Sequence, residues 1–558
     1  MKKDVLLLCL ILLPAVSWLV QPGYFTMHDD LQAMRQLQMD KCLKDGQIPC
    51  RWSQDLGFGF GYPLFNFYPP LPYLPGLIFI RLGLSYLDTV KAVGILGFGL
   101  TAFFMYLLGK QFWGRLGGVV SSAFYTYVPY HALDFFVRGA MNEFWAMAFY
   151  PAIFFTSYKL IETSSKKWIP LLSLSVAALM LSHNLMFMIF TPFFLLWIIF
   201  WWIRFKSFKS LFPLAVSSFW AAGLAAFFTL PVIFEQKFAH VETLVIGYFN
   251  YLSHFLDINQ IFFRNYWGYG ESIYGPGDTM SFSLGYLHWL VPLTVLLLLL
   301  FVKKIRKLWY LILLLLLFTL TSLFMSHSKT TPIWIAVSPL KFLQFPWRFL
   351  TLSVFFVSLI SGAAGLLLSR KIIPYLLLLL LLLNANFFRP RLWHPDATDT
   401  QKFSGDSWRM QVTSGIFDYL PVWAPLPPPD PAGDDVNIIT GRGIYSRLMK
   451  KTNRQRYQIF ITTPTAVAEL QTFYFPGWRI WVDGREVAID PSRDKFLGKM
   501  QVDLTSGRHD LVARFTNTPV RTVGNVLSLV SWTALLFVLL SNKYAPSLRD
   551  RSRLAQGV

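Results

Sequence analysis

Residues 5–20, VLLLCLILLPAVSWLV, form an uncharged run that is followed shortly by Met27-His28-Asp29-Asp30. Such a run suits a helix crossing a hydrocarbon layer, whereas adjacent carboxylates are costly inside one. Together they predict a membrane-crossing first helix whose far end opens on an acidic loop.

Similar apolar runs recur at residues 90–108, 185–203, 211–233, 349–368 and 523–540, and with shorter ones they predict about twelve crossings. Of the 558 residues, 54% are hydrophobic and only 14% charged, which is the composition of a polytopic membrane protein.

The formal net charge is +20, but its distribution follows topology and does not form a nucleic-acid patch. Lys2 and Lys3, Lys110 and Arg115, Lys166 and Lys167, Arg204 with Lys206 and Lys209, Lys303 to Lys307, Arg370 and Lys371, and the tail residues Lys543, Arg549, Arg551 and Arg553 fall on alternate connections. The positive-inside rule makes these cytoplasmic, with both termini, in a multi-pass plasma-membrane protein. Asp29, Asp30, Asp134, Glu143, Glu235 and Glu242 fall on the opposite side. The cytoplasmic links are short and no Walker or Rossmann glycine pattern occurs, so an enzyme here draws its substrate from lipid. Lys2, Lys3 and Ala15-Val16-Ser17 also fit a secretory signal; the bulky Trp18 disfavours cleavage.

This pattern divides the chain into a transmembrane domain at 1–387 with a long outer loop at 21–89, a β-rich exocytoplasmic domain at 388–522, a last helix at 523–541 and a basic cytoplasmic tail at 542–558. Within 388–522 the pattern changes to period two at residues 457–463, 466–475, 479–482, 486–489, 500–504 and 509–515, with Asp483-Gly484 and Ser506-Gly507 as turn signals, and predicts an antiparallel β-sandwich. Trp478 and Trp481, three positions apart, project to opposite faces of a strand, which disfavours a shared sugar platform. Cys42 and Cys50 bracket residues 43–49 and either pair in an oxidising compartment or stay free. No Cys/His metal spacing is present, and no cofactor is expected, although a divalent metal at the acidic pair stays open.

Four groups of residues carry candidate chemistry. His28-Asp29-Asp30 offers a general base, ion ligand or proton relay, against capping of a helix at 31–43. Asp134, Arg138 and Glu143 offer a phosphate-binding guanidinium, against an ordinary i,i+4 ion pair. His183 lies in a short outer turn. Lys341, Trp347 and Arg348 precede a crossing, where the cations either snorkel to headgroups or hold a lipid phosphate. Tyr62 and Tyr68 are aromatic candidates for a sugar or lipid groove, with interface anchoring as the plain alternative.

In order along the chain, Met27-His28-Asp29-Asp30, Pro49-Cys50-Arg51-Trp52, Gly59-Phe60-Gly61-Tyr62-Pro63, Asn66-Phe67-Tyr68-Pro69-Pro70-Leu71, Arg138-Gly139, Phe345-Pro346-Trp347-Arg348-Phe349 and Tyr474-Phe475-Pro476-Gly477-Trp478-Arg479 resemble bacterial YfhO-like membrane proteins. They also resemble multi-spanning proteins labelled 6-pyruvoyl-tetrahydropterin-synthase-related, a label that does not imply pterin chemistry. These families resemble the GT-C glycosyltransferases, which carry acidic residues in a long first outer loop. The resemblance implies inverting transfer from a polyprenyl-phosphate sugar to a cell-envelope glycan or protein. The acidic motif then falls on Asp29 and Asp30, with His28 beside them; Asp-Asp departs from the Asp-Glu of several such families and leaves open which carboxylate is catalytic. Tyr62, Tyr68, Arg138, Glu143, His183, Lys341, Trp347 and Arg348 become substrate-binding candidates. The alternatives are a transporter or flippase of lipid-linked sugars and a non-catalytic assembly protein. The chain lacks the internal repeat common in transporters.

Overall fold

The computed structural model describes residues 2–541 except 276, 416 and 417. The expected basic tail at 542–558 lies outside the described residues, as do the side chains of Lys2 and Lys3.

The helical part comprises α1 (Lys2–Val16), α2 (Gln32–Lys44), α3 (Tyr73–Arg81), α4 (Tyr86–Thr126), α5 (Met141–Thr163), α6 (Trp168–Ser182), α7 (Asn184–Phe205), α8 (Leu211–Glu235), α9 (Tyr286–Leu298), α10 (Trp309–Met325), α11 (Leu350–Ser361) and α12 (Ile373–Asn384). After the short helices α13 (Asp399–Lys402) and α14 (Gly405–Thr413) comes a β-rich region, and α15 (Pro519–Leu540) follows it. Among the described residues five helical stretches are long and apolar enough to cross a membrane, Tyr86–Thr126, Asn184–Phe205, Phe208–Phe238, Pro346–Leu367 and Pro519–Leu540. Other expected crossings are shorter as helices: α1 stops at Val16, before the end of its apolar run, and α12 has twelve residues.

Gly114 divides α4 into two arms. Its φ of 71° and ψ of −174° are non-helical, a conformation glycine adopts without a Cβ penalty. The chain reverses there at the basic link Lys110 to Arg115, and Arg115 Nε donates to Asp4 Oδ1 at 2.6 Å. Ser164 and Ser207 contact at 3.1 Å, and Lys304 donates to Leu366 O at 2.9 Å. The Phe112 ring centre meets that of Tyr158 at 4.8 Å and that of Trp201 at 5.6 Å, and Arg204 lies 5.1 Å from the Tyr310 ring centre, so the basic connections neighbour one another at one end of the bundle.

At the other end, the first loop is folded. Asp40 of α2 accepts from Arg81 at 2.8 Å, Lys44 at 2.7 Å and Tyr86 Oη at 2.7 Å, which ties α2 to α3 and α4. Cys42 and Cys50 form a disulfide with a Cα separation of 5.4 Å. Residues 71–84, apolar but flanked by prolines, form only the nine-residue α3.

The β-rich region contains β3 (Val436–Thr440), β4 (Gly443–Lys451), β5 (Arg454–Phe473), β6 (Trp478–Val482), β7 (Arg485–Val487) and β8 (Lys499–Phe515); β1 (Tyr24–Phe25) and β2 (Trp393–His394) pair separately. The expected sandwich is instead one six-stranded antiparallel sheet, ordered β3-β5-β8-β6-β7 with β4 also on β5. Period-two alternation marks a half-buried strand without naming its partner. β5 and β8 run through what the sequence divides into separate strands, with register shifts at Ile461/Thr465 and Leu470/Phe473.

The apolar face of this sheet shares one core with the first loop, including Trp52, Phe60, Tyr62, Phe65 and Phe67. Trp52 is fully buried and meets Trp478 edge-on at 5.5 Å. Phe473 N–H donates to Phe60 O at 3.2 Å. Trp478 is buried while Trp481 is half-buried beneath Arg514, as opposite strand faces require. Burying a side chain the size of Trp52 is worth on the order of 3 kcal/mol.

Candidate functional site

A cavity of about 850 Å³ opens where the folded first loop, the neighbouring helix ends and the α13–α14 segment meet. His28, Asp29, Asp30, Tyr68, Arg138, Glu143, His183, Trp347 and Arg348, all singled out from the sequence, line it.

Backbone pairing holds the acidic segment: His28 N–H donates to Val137 O and Asp29 N–H to Arg138 O, both at 2.9 Å. Gly139, with φ 68°, ends the π-helical turn Leu133–Arg138. A Cβ there would lie 2.5 Å from Met27 Sδ and 2.9 Å from Asp29 O, so glycine permits this approach.

Asp29 Oδ2 accepts from Arg35 Nη1 at 2.6 Å and Gln32 Nε2 at 3.3 Å. Its side chain is 37% exposed, and Oδ1 has no hydrogen-bond partner among the described residues. One oxygen is thus fixed and the other is free to accept a proton. Arg35 is buried and lies 4.3 Å from the Tyr68 ring centre. Asp30 Oδ2 accepts from Lys402 Nζ at 2.6 Å, whereas its Oδ1 is buried without a partner among the described residues. Burial pushes the Asp30 carboxyl above its usual range. The capping alternative is not realised, because Leu31 holds the N-cap position of α2 with no side-chain cap.

Glu143 joins two arginines. Its Oε2 accepts from Arg348 Nε at 3.0 Å and pairs with Arg138 Nη1 at 3.1 Å; its Oε1 accepts from Tyr130 Oη at 2.6 Å. Arg138 also pairs with Asp134, which is fully buried, so this pair is far from a solvated i,i+4 bridge. The Arg138 guanidinium sits 4.3 Å from the Trp347 ring centre, and Arg348 Nη1 donates to Leu343 O at 2.6 Å. Among the described residues, Arg138 Nε and Nη2 and Arg348 Nη2 find no hydrogen-bond acceptor. They are available to an anion.

Two expected site residues lie elsewhere. Tyr62 bridges to Ser53 and is buried in the core shared by the first loop and the sheet, against Tyr419 with ring centres 6.4 Å apart, because its strand-like segment faces the sheet. Lys341, in the turn Ser338–Leu343, does not line the cavity; its Nζ lies 5.5 Å from the Phe342 ring, and Phe342 and Gln344 form the wall instead. His183 lines the cavity with Nδ1 buried and unpartnered among the described residues, and His28 packs edge-on against Tyr269 at 4.4 Å.

The sequence reading missed Arg35, Lys402, Gln411 and Asp418, all in the cavity wall. Lys402 and Asp30 are 372 positions apart, and no local pattern joins them. Arg35 was legible only as the cation one turn into the helix after the acidic pair. Among the described residues, no three His, Cys, Asp or Glu side chains converge on a common metal position. Asp29 and Asp30 each hold a cationic side chain through Oδ2.

No family model matches the chain. It is similar, at 27% identity over 217 residues, to an uncharacterised protein of Lactococcus lactis subsp. cremoris, with 36% of this chain and 34% of that protein covered. The chain thus matches about a third of that relative's length. Similar solved structures are the Archaeoglobus fulgidus oligosaccharyltransferase tethered with an acceptor peptide, at TM-score 0.39 and 14% identity over 70% of this chain and 52% of that one, and its apo form, at TM-score 0.39 and 12% identity over 73% and 60%.

Proposed function

We propose that the protein is an integral membrane glycosyltransferase of GT-C type that moves a sugar from a polyprenyl-phosphate donor to a cell-envelope acceptor on the exocytoplasmic face. The observation that carries this reading is the shared cavity, which combines an aspartate having one fixed and one free oxygen with two arginines having unused guanidinium nitrogens. In this reading the plasma membrane is crossed about twelve times with both termini cytoplasmic. The clustering of the basic connections at the bundle end away from the cavity supports it.

Asp29 Oδ1 takes the proton of an acceptor hydroxyl as its oxygen bonds to the anomeric carbon. The bond from that carbon to the phosphate oxygen breaks, and the phosphate leaves with the electron pair. A placed general base contributes about 10²- to 10⁴-fold. Arg138 and Arg348 stabilise the charge that grows on the leaving oxygen, and Glu143 holds both guanidinium planes in place. Apolar Val232, Val241, Leu244 and Phe249 on the same wall suit the first isoprene units. Asp30, held by Lys402, fixes the loop.

The test is the purified protein in proteoliposomes with a radiolabelled polyprenyl-phosphate sugar and an envelope extract as acceptor. Transfer of label to extract supports the reading. Movement of the donor across the bilayer without transfer identifies a flippase, and the lack of both transfer and movement points to an assembly protein.

A further inference from the structure

The cavity is chemically two-sided. The Arg138–Arg348 side offers unused donors, whereas the wall formed by Lys402, Gln411, Asp418 and Tyr419 offers unused acceptors. Glu143, Asp29 and Asp30 have cationic partners. Asp418 is the one carboxylate among the described lining residues with neither an ion pair nor a hydrogen bond to its side chain. Gln411, which lines the same cavity, is 4% exposed; its Nε2 donates to Lys402 O at 2.6 Å and to Ser407 O at 3.1 Å, while its Oε1 is buried and unpartnered among the described residues. A buried acceptor without a partner is destabilising, and an occupant's hydrogen-bond donor removes that cost. Tyr68 and Tyr419 complete this wall, and Tyr419 stacks on Phe67 with ring centres 5.5 Å apart.

We propose that Asp418 and Gln411, with Tyr68 and Tyr419, form a subsite for the hydroxyls of a neutral sugar ring of the acceptor. The site presents acceptors, so its occupant must bring donors. Arg35 and Lys402 on the same side are already paired with Asp29 and Asp30, so the unpaired Asp418 alone would draw a cation, and a glucosamine control tests for an amine. An anion has no donors to give and belongs on the arginine side. A sugar ring supplies several hydroxyl donors and an apolar face for the tyrosines. The inference rests on the glycosyltransferase reading for the word acceptor, but the subsite is testable without transfer.

The full-length protein in nanodiscs is treated with a water-soluble carbodiimide, which adds to protonated carboxyls, and labelling at Asp418 is read by mass spectrometry. Burial pushes this carboxyl up to about 6, so a fraction is protonated near neutral pH. Neutral trisaccharides of glucose, galactose and N-acetylglucosamine serve as probes, with glycerol and glucosamine as controls. Protection of Asp418 by at least one trisaccharide and by neither control is expected. Gln411→Ala should raise the half-protecting concentration about five- to tenfold, the loss of one hydrogen bond. Absence of labelling at Asp418, no protection by any trisaccharide, protection by glucosamine alone, or an unchanged concentration in Gln411→Ala each overturns the subsite. Transfer without protection sinks the subsite alone, whereas protection without transfer sinks the glycosyltransferase reading and leaves the subsite standing.

Discussion

Asp29→Asn tests the proposed chemistry, and the structure shows why the single variant is not enough. The amide cannot accept the acceptor's proton, so transfer should fall about 10²- to 10⁴-fold, or roughly 3 to 5 kcal/mol of barrier. The same change also removes the counter-ion of buried Arg35, 2.6 Å from Asp29 Oδ2. A hydrogen bond to a charged group is worth about 1.5 to 3 kcal/mol. Because Asp29 is 37% exposed, water screens part of that, and a stability loss near the lower end, about 1.5 kcal/mol, is expected. Arg35→Gln removes the stranded cation, so the double variant Asp29→Asn with Arg35→Gln faces one neutral amide with another. Melting temperatures in nanodiscs and initial transfer rates are measured for wild type, both single variants and the double variant. Stability should recover in the double variant with a coupling energy of about 1 kcal/mol, while transfer stays at the Asp29→Asn level. Transfer that recovers together with stability means Asp29 acts only as a partner of Arg35, and the base assignment fails.

Arg348→Lys should cut transfer about tenfold or more, because an ammonium cannot span Glu143 Oε2 at 3.0 Å and Leu343 O at 2.6 Å while presenting a further donor to phosphate; turnover and donor affinity equal to wild type would remove it from the phosphate site. A cysteine at exposed Ser404 should label with an impermeant thiol reagent from outside, and one at Ser552 from the cytoplasmic side; same-side labelling overturns the final crossing. Asp418 has a folded pKa of about 6 against an ordinary 3.8, so the folded state binds its proton more tightly than the unfolded one. Its contribution is therefore favourable at low pH and is lost as pH rises from about 4 to about 6. Asp418→Asn should flatten the melting-temperature profile across that window relative to wild type, and superimposable profiles contradict the assignment.

The alternation of apolar runs with basic and acidic connections was enough to specify a helical membrane architecture, because hydrocarbon admits few charged residues and none at random. Period-two patterning likewise identified most strand segments from Tyr457 to Phe515, since a half-buried strand writes its exposure into alternate residues. The identity of His28, Asp29, Arg138, Glu143, Trp347 and Arg348 as cavity residues was legible too, because charged and aromatic groups beside a membrane stand out against it. What the sequence left open was partnership. Nothing local says that Lys402 reaches Asp30, that Arg35 occupies one oxygen of Asp29 and spares the other, or that Glu143 is shared by Arg138 and Arg348. Nor does alternation reveal that β5 and β8 each run through two predicted strands, or that Tyr62 turns into a core made jointly by the first loop and the sheet. Periodicity records how a residue is solvated, whereas a salt bridge or a shared core depends on which distant segment closes over it. That is settled only when the chain packs.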